Sequence, residues 1–318
     1  MRFYFDQAFD LYVKTLPFVL VRAAAYAAFG AVSIAYFGVL AFIIWKVTGG
    51  GEGVSGMMIG LFAAGFFGFL GLWRLARAWV LYMIRAAHVA VVAEFLRDGQ
   101  VPAGKSQLAL GKDLISRYVG GVTVLFAVDV LIKGILKFVH RTVFRTMTVI
   151  PLPGARSAGK FVNRVMDFSI TYVDEAILCF HFFRRGDNLW ASARQGIVLY
   201  CQCWKPILAN AAVLALISLV GAALFAGAIF VPLSLFSFGA LAGVFKVLFV
   251  IAVVVTAGIL KAGFFDPFAM IVMAVTFNRE AAQMAPSAEW EARLESISDK
   301  FRELKEKALS GGPTPIPS

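Results

Sequence analysis

The run AAAYAAFGAVSIAYFGVLAFIIW, residues 23–45, contains no charged side chain and decides the class of fold. A helix needs about 20 apolar residues to cross the hydrocarbon core of a bilayer. Two further runs, 207–230 and 247–260, have the same character. The chain as a whole is 60% hydrophobic and 15% charged, whereas soluble domains have about 25% charged residues. The sequence therefore predicts an all-α, polytopic membrane helical bundle.

We expect about six membrane helices, with an amphipathic helix at each end of the chain. Four of these segments are strongly apolar, whereas the third and fourth, 114–139 and 161–183, carry charges. The predicted organisation is an interfacial amphipathic helix at 1–16, a first helical hairpin with a basic extension at 17–98, a membrane region at 99–285, a cytoplasmic amphipathic helix at 286–309 and a disordered tail at 310–318.

The distribution of lysine and arginine predicts the orientation, because cytoplasmic loops are enriched in both. The turns 48–56 and 231–243 have none, so both termini are predicted in the cytoplasm. Short loops and only three cysteines favour a bacterial inner (plasma) membrane. One loop conflicts with this scheme: 137–164 holds six basic residues and would face outward if the third and fourth segments both crossed. Either the charge rule fails there, or these segments dip into the membrane and return.

An acid pair, Asp174 and Glu175, stands inside the apolar stretch VMDFSITYVDEAILCFHFF, residues 165–183. A charge at the centre of a membrane helix costs about 2.5 to 3.5 kcal/mol, so these carboxylates need a partner, a proton or a ligand. Two interpretations stay open, a substrate or proton site and a structural ion-pair lock. The candidate members of an ion-pair or coupling network are Asp129, Lys133, Arg164 and Arg194, with Asp129 placed four residues before Lys133 in the favourable helical order.

Aromatic residues accompany these acids, as a binding site for a quaternary ammonium ion requires. The chain has 31 phenylalanines, so simple packing is the competing interpretation. The candidate substrate-binding residues are Asp167, Phe168, Tyr172, Asp174 and Glu175 on the fourth segment and Phe265 and Asp266 on the sixth.

Basic residues form one face of the helix that continues the second segment. Arg74, Arg77 and Arg85 fall at helical spacing and are predicted to contact anionic lipid headgroups, with an anion site as the alternative. Arg22, near one end of the first segment, is expected to extend to the headgroups.

Enzymatic chemistry is not indicated. The sequence has no catalytic signature for a serine hydrolase, a zinc protease or a phosphate-binding loop. The spacing of Cys201 and Cys203 is poor for a metal site, and a site formed by Glu175, Cys179 and His181 is the disfavoured alternative, so no metal and no cofactor are predicted. No nucleic-acid-binding module is readable.

Three blocks in the C-terminal half resemble a known family. They are FVNR at 161–164, NLWASAR at 188–194 and KAGFFDPF at 261–268, the last followed by AVTF. Their order is similar to that in choline transporter-like proteins, and a weaker likeness extends the match over 118–279. The resemblance implies a carrier for choline or another small organic cation. Family members have more spans than this chain has room for, and they lack the acidic segment and the Asp266–Pro267 pair.

The sequence thus predicts a transporter or permease-like protein whose intramembrane carboxylates line the path. Its expected partners are membrane lipids, a small organic cation or ion, and further copies of the same chain in a homo-oligomer, with no nucleic acid. The alternatives are a channel-forming homo-oligomer and a non-transporting membrane scaffold or assembly protein.

Overall fold

A computed structural model describes residues 3–47, 56–116, 122–140, 142, 155–186, 188–235, 253 and 256–310. All regular structure in these ranges is helical, and no strand occurs in them. Residues 48–55 of the predicted turn 48–56, most of the loop 141–154, most of the connection after Leu235, and residues 311–318 of the predicted tail 310–318 lie outside these ranges.

Eleven α-helices follow one another along the described ranges. A π-helical turn, Lys261–Phe265, leads directly into the ninth. Their bounds are α1 Phe5–Lys14, α2 Leu16–Val47, α3 Gly56–Asp98, α4 Gln107–Ser116, α5 Val122–Val139, α6 Ala155–Arg184, α7 Leu189–Gln202, α8 Trp204–Leu235, α9 Asp266–Ala281, α10 Ala288–Ile297 and α11 Asp299–Ser310.

Four segments of the described chain are long and apolar enough to cross a membrane. They are Leu16–Tyr36, Trp73–Asp98, Trp204–Phe225 and Thr256–Ala281, in α2, α3, α8 and the region that ends with α9. Ile34, Leu75, Leu219 and Leu224 point outward from these helices and are 58–69% exposed, as lipid-facing side chains would be. The predicted helical membrane bundle is therefore confirmed as a class.

The expected number of about six membrane helices is not reached within the described residues. α5 carries Asp129, Lys133 and Lys137, and α6 is still more polar, so neither qualifies as a span. If the four candidate spans of the described residues are those that cross the membrane, residues 137–140 and 155–164 lie on the same side as the two termini, and the conflict with the charge rule does not arise for them.

α6 is the central helix of a compact core. It packs against α3, α7, α8 and α9, and every side chain from Tyr172 to Phe182 is buried. From Arg164 to Thr171 the side chains on only one face of the helix are buried. A residue's position along α6 therefore decides its environment as much as the face on which it lies.

The predicted amphipathic helix near the C-terminus consists of two helices. Ser298 adopts an extended conformation between α10 and α11, and its hydroxyl accepts a hydrogen bond from the Phe301 amide at 3.3 Å. Leu294, Phe301 and Leu304 form the buried face, and α11 packs against α7 and α5. The predicted apolar stripe is thus used to dock both helices onto the core.

Helix α1 has two apolar sides. Ala8 and Leu11 are buried on the side that packs against α9, whereas Phe9 and Val13 are 60% and 53% exposed. An exposed apolar face beside the start of the first candidate span is typical of a helix at the membrane interface.

Candidate functional site

Eight charged side chains from α2, α3, α5, α6, α9 and the π-helical turn form a charge network between the helices. Four are basic and four are acidic, so the network is neutral when all are ionised. Its members are Arg22, Arg85, Lys133, Lys261, Asp129, Asp174, Glu175 and Asp266.

Lys133 joins two carboxylates at one end of the network. Its Nζ lies 2.9 Å from Asp129 Oδ2 and 2.9 Å from Asp174 Oδ2, so the predicted ion pair within α5 exists and extends to α6. Burial and the neighbouring Asp129 raise the pKa of the Asp174 carboxyl well above its usual range. Burial alone would lower the pKa of Lys133, but Asp174 and Asp129 outweigh it and raise that pKa. The Asp174 carboxyl can therefore hold a proton while Lys133 stays charged.

Arg85 links α3 to the centre of α6. Its Nη1 lies 3.2 Å from Glu175 Oε1, and its side chain is 28% exposed. The sequence placed Arg85 on a lipid-facing basic stripe, but in the structure it turns inward to Glu175. Arg74 and Arg77 are exposed, and the Arg77 guanidinium lies 5.5 Å from the centre of the Tyr26 ring. Only these two keep the position predicted for headgroup contacts.

Asp266 receives two hydrogen bonds at the other end of the network. Tyr172 donates its hydroxyl to Oδ1 at 2.8 Å, and the Lys261 ammonium donates to the same oxygen at 2.6 Å. The Phe168 ring centre lies 5.0 Å from that of Tyr172 and 6.5 Å from that of Phe265. Of the residues predicted on the fourth and sixth segments, Phe168, Tyr172 and Phe265 are therefore brought together around Asp266.

The protein's own lysine occupies the cation position of this aromatic cluster. Lys261 Nζ lies 5.8 Å from the centre of the Phe265 ring while it is bonded to Asp266. A carboxylate and an aromatic face are the two contacts that a bound ammonium ion requires.

The π-helical turn positions Lys261 and Asp266. It ends directly before Asp266, and Pro267 then lies in the first turn of α9 without disrupting it. Gly263 lies against α2, because a Cβ built on it would come within 2.8 Å of Ala23 Cα. Short π-helical turns are frequent at functional sites.

Arg22 is buried, contrary to the expectation that it extends to lipid headgroups. Its side chain follows α2 into the core and is only 2% exposed. It lies within electrostatic range of Glu175, Arg85 and Asp266. Two of its guanidinium nitrogens, Nε and Nη1, have no hydrogen-bond partner in the described part of the chain.

Three predicted residues lie outside the charge network. Asp167 and Arg164 are exposed, and Arg194 Nη1 pairs with Glu291 Oε1 at 3.1 Å, where it helps to hold α10 on α7. Asp167 lies seven residues before Asp174 and hence on nearly the same face of α6. It is exposed because α6 is fully enclosed only from Tyr172 onward.

Sequence reasoning missed Lys261, the inward position of Arg22, and Tyr82, whose buried hydroxyl lies near Asp129 and Asp174 without a hydrogen-bond partner. The sequence feature that could have indicated the buried position of Arg22 is that it is an arginine inside an otherwise apolar helix. No group of three or more metal-ligating side chains occurs in the residues that the structure covers.

An apolar groove of about 470 Å³ leads from the lipid-facing side toward Lys261 and Phe265. It runs between α8 and the segment before the π-helical turn. Small residues, among them Gly221, Ala257 and Gly258, leave the space between these helices. Lys261, at one end of the charge network, therefore forms part of the lining of this groove.

The fold and the charge network define a helical membrane protein with ionisable groups held between its helices. Comparison with protein families, with characterised proteins and with solved structures finds no match to this chain. The resemblance to choline transporter-like proteins accordingly stays a prediction.

Proposed function

We propose that this membrane protein is a carrier or permease for a small organic cation, with choline as the first candidate. Its binding site is formed by Asp266 with the rings of Phe168, Tyr172 and Phe265. The observation that supports this proposal is the position of Lys261, whose ammonium contacts the Asp266 carboxylate and the Phe265 ring. A ligand ammonium would make the same two contacts and would compete with Lys261 for them.

Proton coupling is the role proposed for the other end of the network. Asp129 and Asp174 share Lys133 as their counter-ion. Glu175 directly follows Asp174 in α6 and, like Asp266, lies within electrostatic range of Tyr172, so a change of protonation at Asp174 alters the field at the cation site. Intramembrane or membrane-adjacent carboxylates commonly serve as such relays in transporters.

The proposed setting is the inner membrane of a bacterium, with both termini in the cytoplasm. Arg74 and Arg77 lie at the start of the candidate span Trp73–Asp98 and are exposed, and contact with lipid headgroups is the role proposed for them.

A non-transporting scaffold is the alternative, and one observation favours it. Each of the four acidic members of the network has a basic or hydroxyl partner, as a structural lock between helices would require. A channel formed by several copies of the chain is a third proposal, because four spans provide few helices to enclose a path.

Solute flux into proteoliposomes distinguishes these functions. Labelled choline and monovalent cations are offered to the wild type, to Asp266→Asn and to the control Asp167→Asn, which makes the same change at an exposed site of α6. A carrier predicts flux that is saturable in the wild type and in Asp167→Asn and is lost in Asp266→Asn, with thermal stability preserved.

A different outcome would indicate that the charge network is a structural lock between helices. If no solute moves in the wild type while Asp266→Asn sharply lowers the unfolding temperature, the carrier proposal is rejected. A flux that does not saturate with concentration would favour the channel.

A further inference from the structure

The apolar groove between α8 and the segment before the π-helical turn has one charged side chain among the described residues of its lining. That side chain is Lys261, and Ser218 is the other polar residue there. All the remaining lining residues are apolar or glycine. A single cation beside an apolar surface is complementary to an amphiphile, a molecule that joins an anionic group to a hydrocarbon chain.

The groove has room for part of an acyl chain. Its lining on α8 runs from Ile217 to Phe225, and eight residues of helix extend over about 12 Å. Gly221 and Gly258 leave space in it, because a Cβ built on either glycine meets nothing within 4 Å. The volume of about 470 Å³ falls in the range of about 300 to 1,000 Å³ that is typical of ligand sites.

The groove opens at the surface that faces lipid. Val220 and Leu224, each one residue before a lining residue of α8, are 56% and 69% exposed. Phe264, on the opposite wall, is 38% exposed. Lipid chains are therefore the molecules that reach this groove in a membrane.

Lys261 lies close to the level at which headgroup contacts are proposed. Gly263, two residues later, packs against Ala23 of α2. Three residues further along α2, the ring centre of Tyr26 lies 5.5 Å from the guanidinium of Arg77. Lys261 is thus about one to two helical turns from the level of Arg77, an exposed residue for which headgroup contact is already proposed.

The Lys261 ammonium can bind an anionic group while it stays bonded to Asp266. It has three N–H donors, of which Asp266 Oδ1 accepts one. Asp266 is the carboxylate whose charge opposes an anion at this position. Its Oδ1 also accepts the hydroxyl of Tyr172, and its side chain is 21% exposed whereas that of Lys261 is 50% exposed. The more accessible charge beside the groove is therefore positive.

We infer that the groove binds a membrane phospholipid, with one acyl chain between the helices and a phosphate oxygen on the Lys261 ammonium. Lysine is a common phosphate ligand, and basic pockets between membrane helices bind lipid headgroups. A chain that enters the groove exchanges one apolar environment for another, so the preference over other lipids comes from the phosphate contact. For a half-exposed ion pair this preference is about threefold.

Photo-crosslinking in proteoliposomes tests this site without requiring transport. The bilayer consists of an uncharged glycolipid with a trace of phosphatidylglycerol that carries a diazirine on one acyl chain. The matched probe is the glycolipid with the same diazirine chain and no phosphate. Mass spectrometry of peptides measures the labelling of residues 217–225 relative to that of Ile34, which is 62% exposed on α2. We expect this ratio to be about threefold higher for the phospholipid probe and to fall to the glycolipid value when unlabelled phosphatidylglycerol is added in excess.

Two kinds of variant separate the phosphate contact from the groove itself. Lys261→Gln removes the cation and is expected to abolish the preference for phospholipid, whereas Lys261→Arg should retain it. Gly221→Phe places a ring in the groove and changes no member of the charge network; it should also abolish the preference, which gives a second test if Lys261→Gln does not fold. The control Gly71→Phe makes the same change at an exposed glycine of α3 with equally open surroundings and should keep the full preference.

The inference is overturned if the two probes give the same ratio in the wild type, because the groove then accepts lipid chains whether or not they carry phosphate. It is overturned equally if Lys261→Gln keeps the threefold preference. Weaker labelling of residues 217–225 than of Ile34 with both probes would show that another part of the chain or a second copy covers the groove, and it also rejects the inference. Phosphatidylglycerol has no ammonium group, so this result does not depend on choline flux and the two proposals fail separately.

Discussion

Replacing Lys133 with methionine is the sharpest test of the charge network. The substitution keeps the length of the side chain and removes the charge that Asp129 and Asp174 share at 2.9 Å each. Removing one partner of a buried ion pair costs about 3 to 5 kcal/mol. The Lys133 side chain is 31% exposed, so the lower end of that range, about 3 kcal/mol, applies at neutral pH. Such a loss lowers the unfolding temperature by about 5 to 10 °C.

The stability lost in Lys133→Met is expected to depend on pH in a definite direction. The pKa of Asp174 in the folded protein is raised above the value of about 3.9 that it has in the unfolded chain. Its contribution to stability is therefore fully present below that unfolded value and is lost as the pH rises through the folded pKa. In Lys133→Met the two carboxylates lose their counter-ion and the folded pKa rises further, so acidification should restore much of the lost stability.

The assay is thermal unfolding of the purified protein in detergent, followed by tryptophan fluorescence at neutral and mildly acidic pH. Lys137→Met is the matched control, because Lys137 is exposed one turn later on the same helix and should change stability by less than about 0.5 kcal/mol. The double variant Lys133→Met with Asp174→Asn should recover part of the loss. The reasoning fails if Lys133→Met unfolds at the same temperature as Lys137→Met at neutral pH.

Two further predictions concern packing. Gly263→Ala places a methyl group 2.8 Å from Ala23 Cα and should lower the stability of the fold by about 1 to 3 kcal/mol. Gly258→Ala, with open space around it, should leave the stability unchanged. Equal unfolding temperatures for the two variants would disprove the close approach of α2 to the π-helical turn. Leu304→Ala removes a fully buried side chain of α11 and should cost about 2 to 5 kcal/mol, seen as faster tryptic cleavage of the C-terminal helices. Leu309→Ala, at a position 75% exposed, should leave the cleavage rate unchanged.

Features that depend on near neighbours in the chain were predicted from the sequence. The i, i+4 spacing of Asp129 and Lys133 predicted an ion pair that the structure contains. The apolar stripe that includes Leu294 and Phe301 predicted an amphipathic helix, and both residues are buried. Helical periodicity places such residues on one face whatever the rest of the chain does.

Features that depend on distant segments were not predicted. Arg85 and Glu175 are 90 residues apart, and no local pattern indicated that they would meet. The same limit explains Arg22, which an isolated helix would direct to the headgroups but which the packed structure encloses.

The sequence by itself determined that this protein is a helical membrane protein, because apolar composition and helix length are properties of each segment alone. It also singled out the acidic centre of α6 as unusual. Only the tertiary structure decided which carboxylates are enclosed and which groups they meet. The physical reason is that the cost of a charge depends on the groups packed around it, and these come from α2, α3, α5 and the π-helical turn, far apart in the chain.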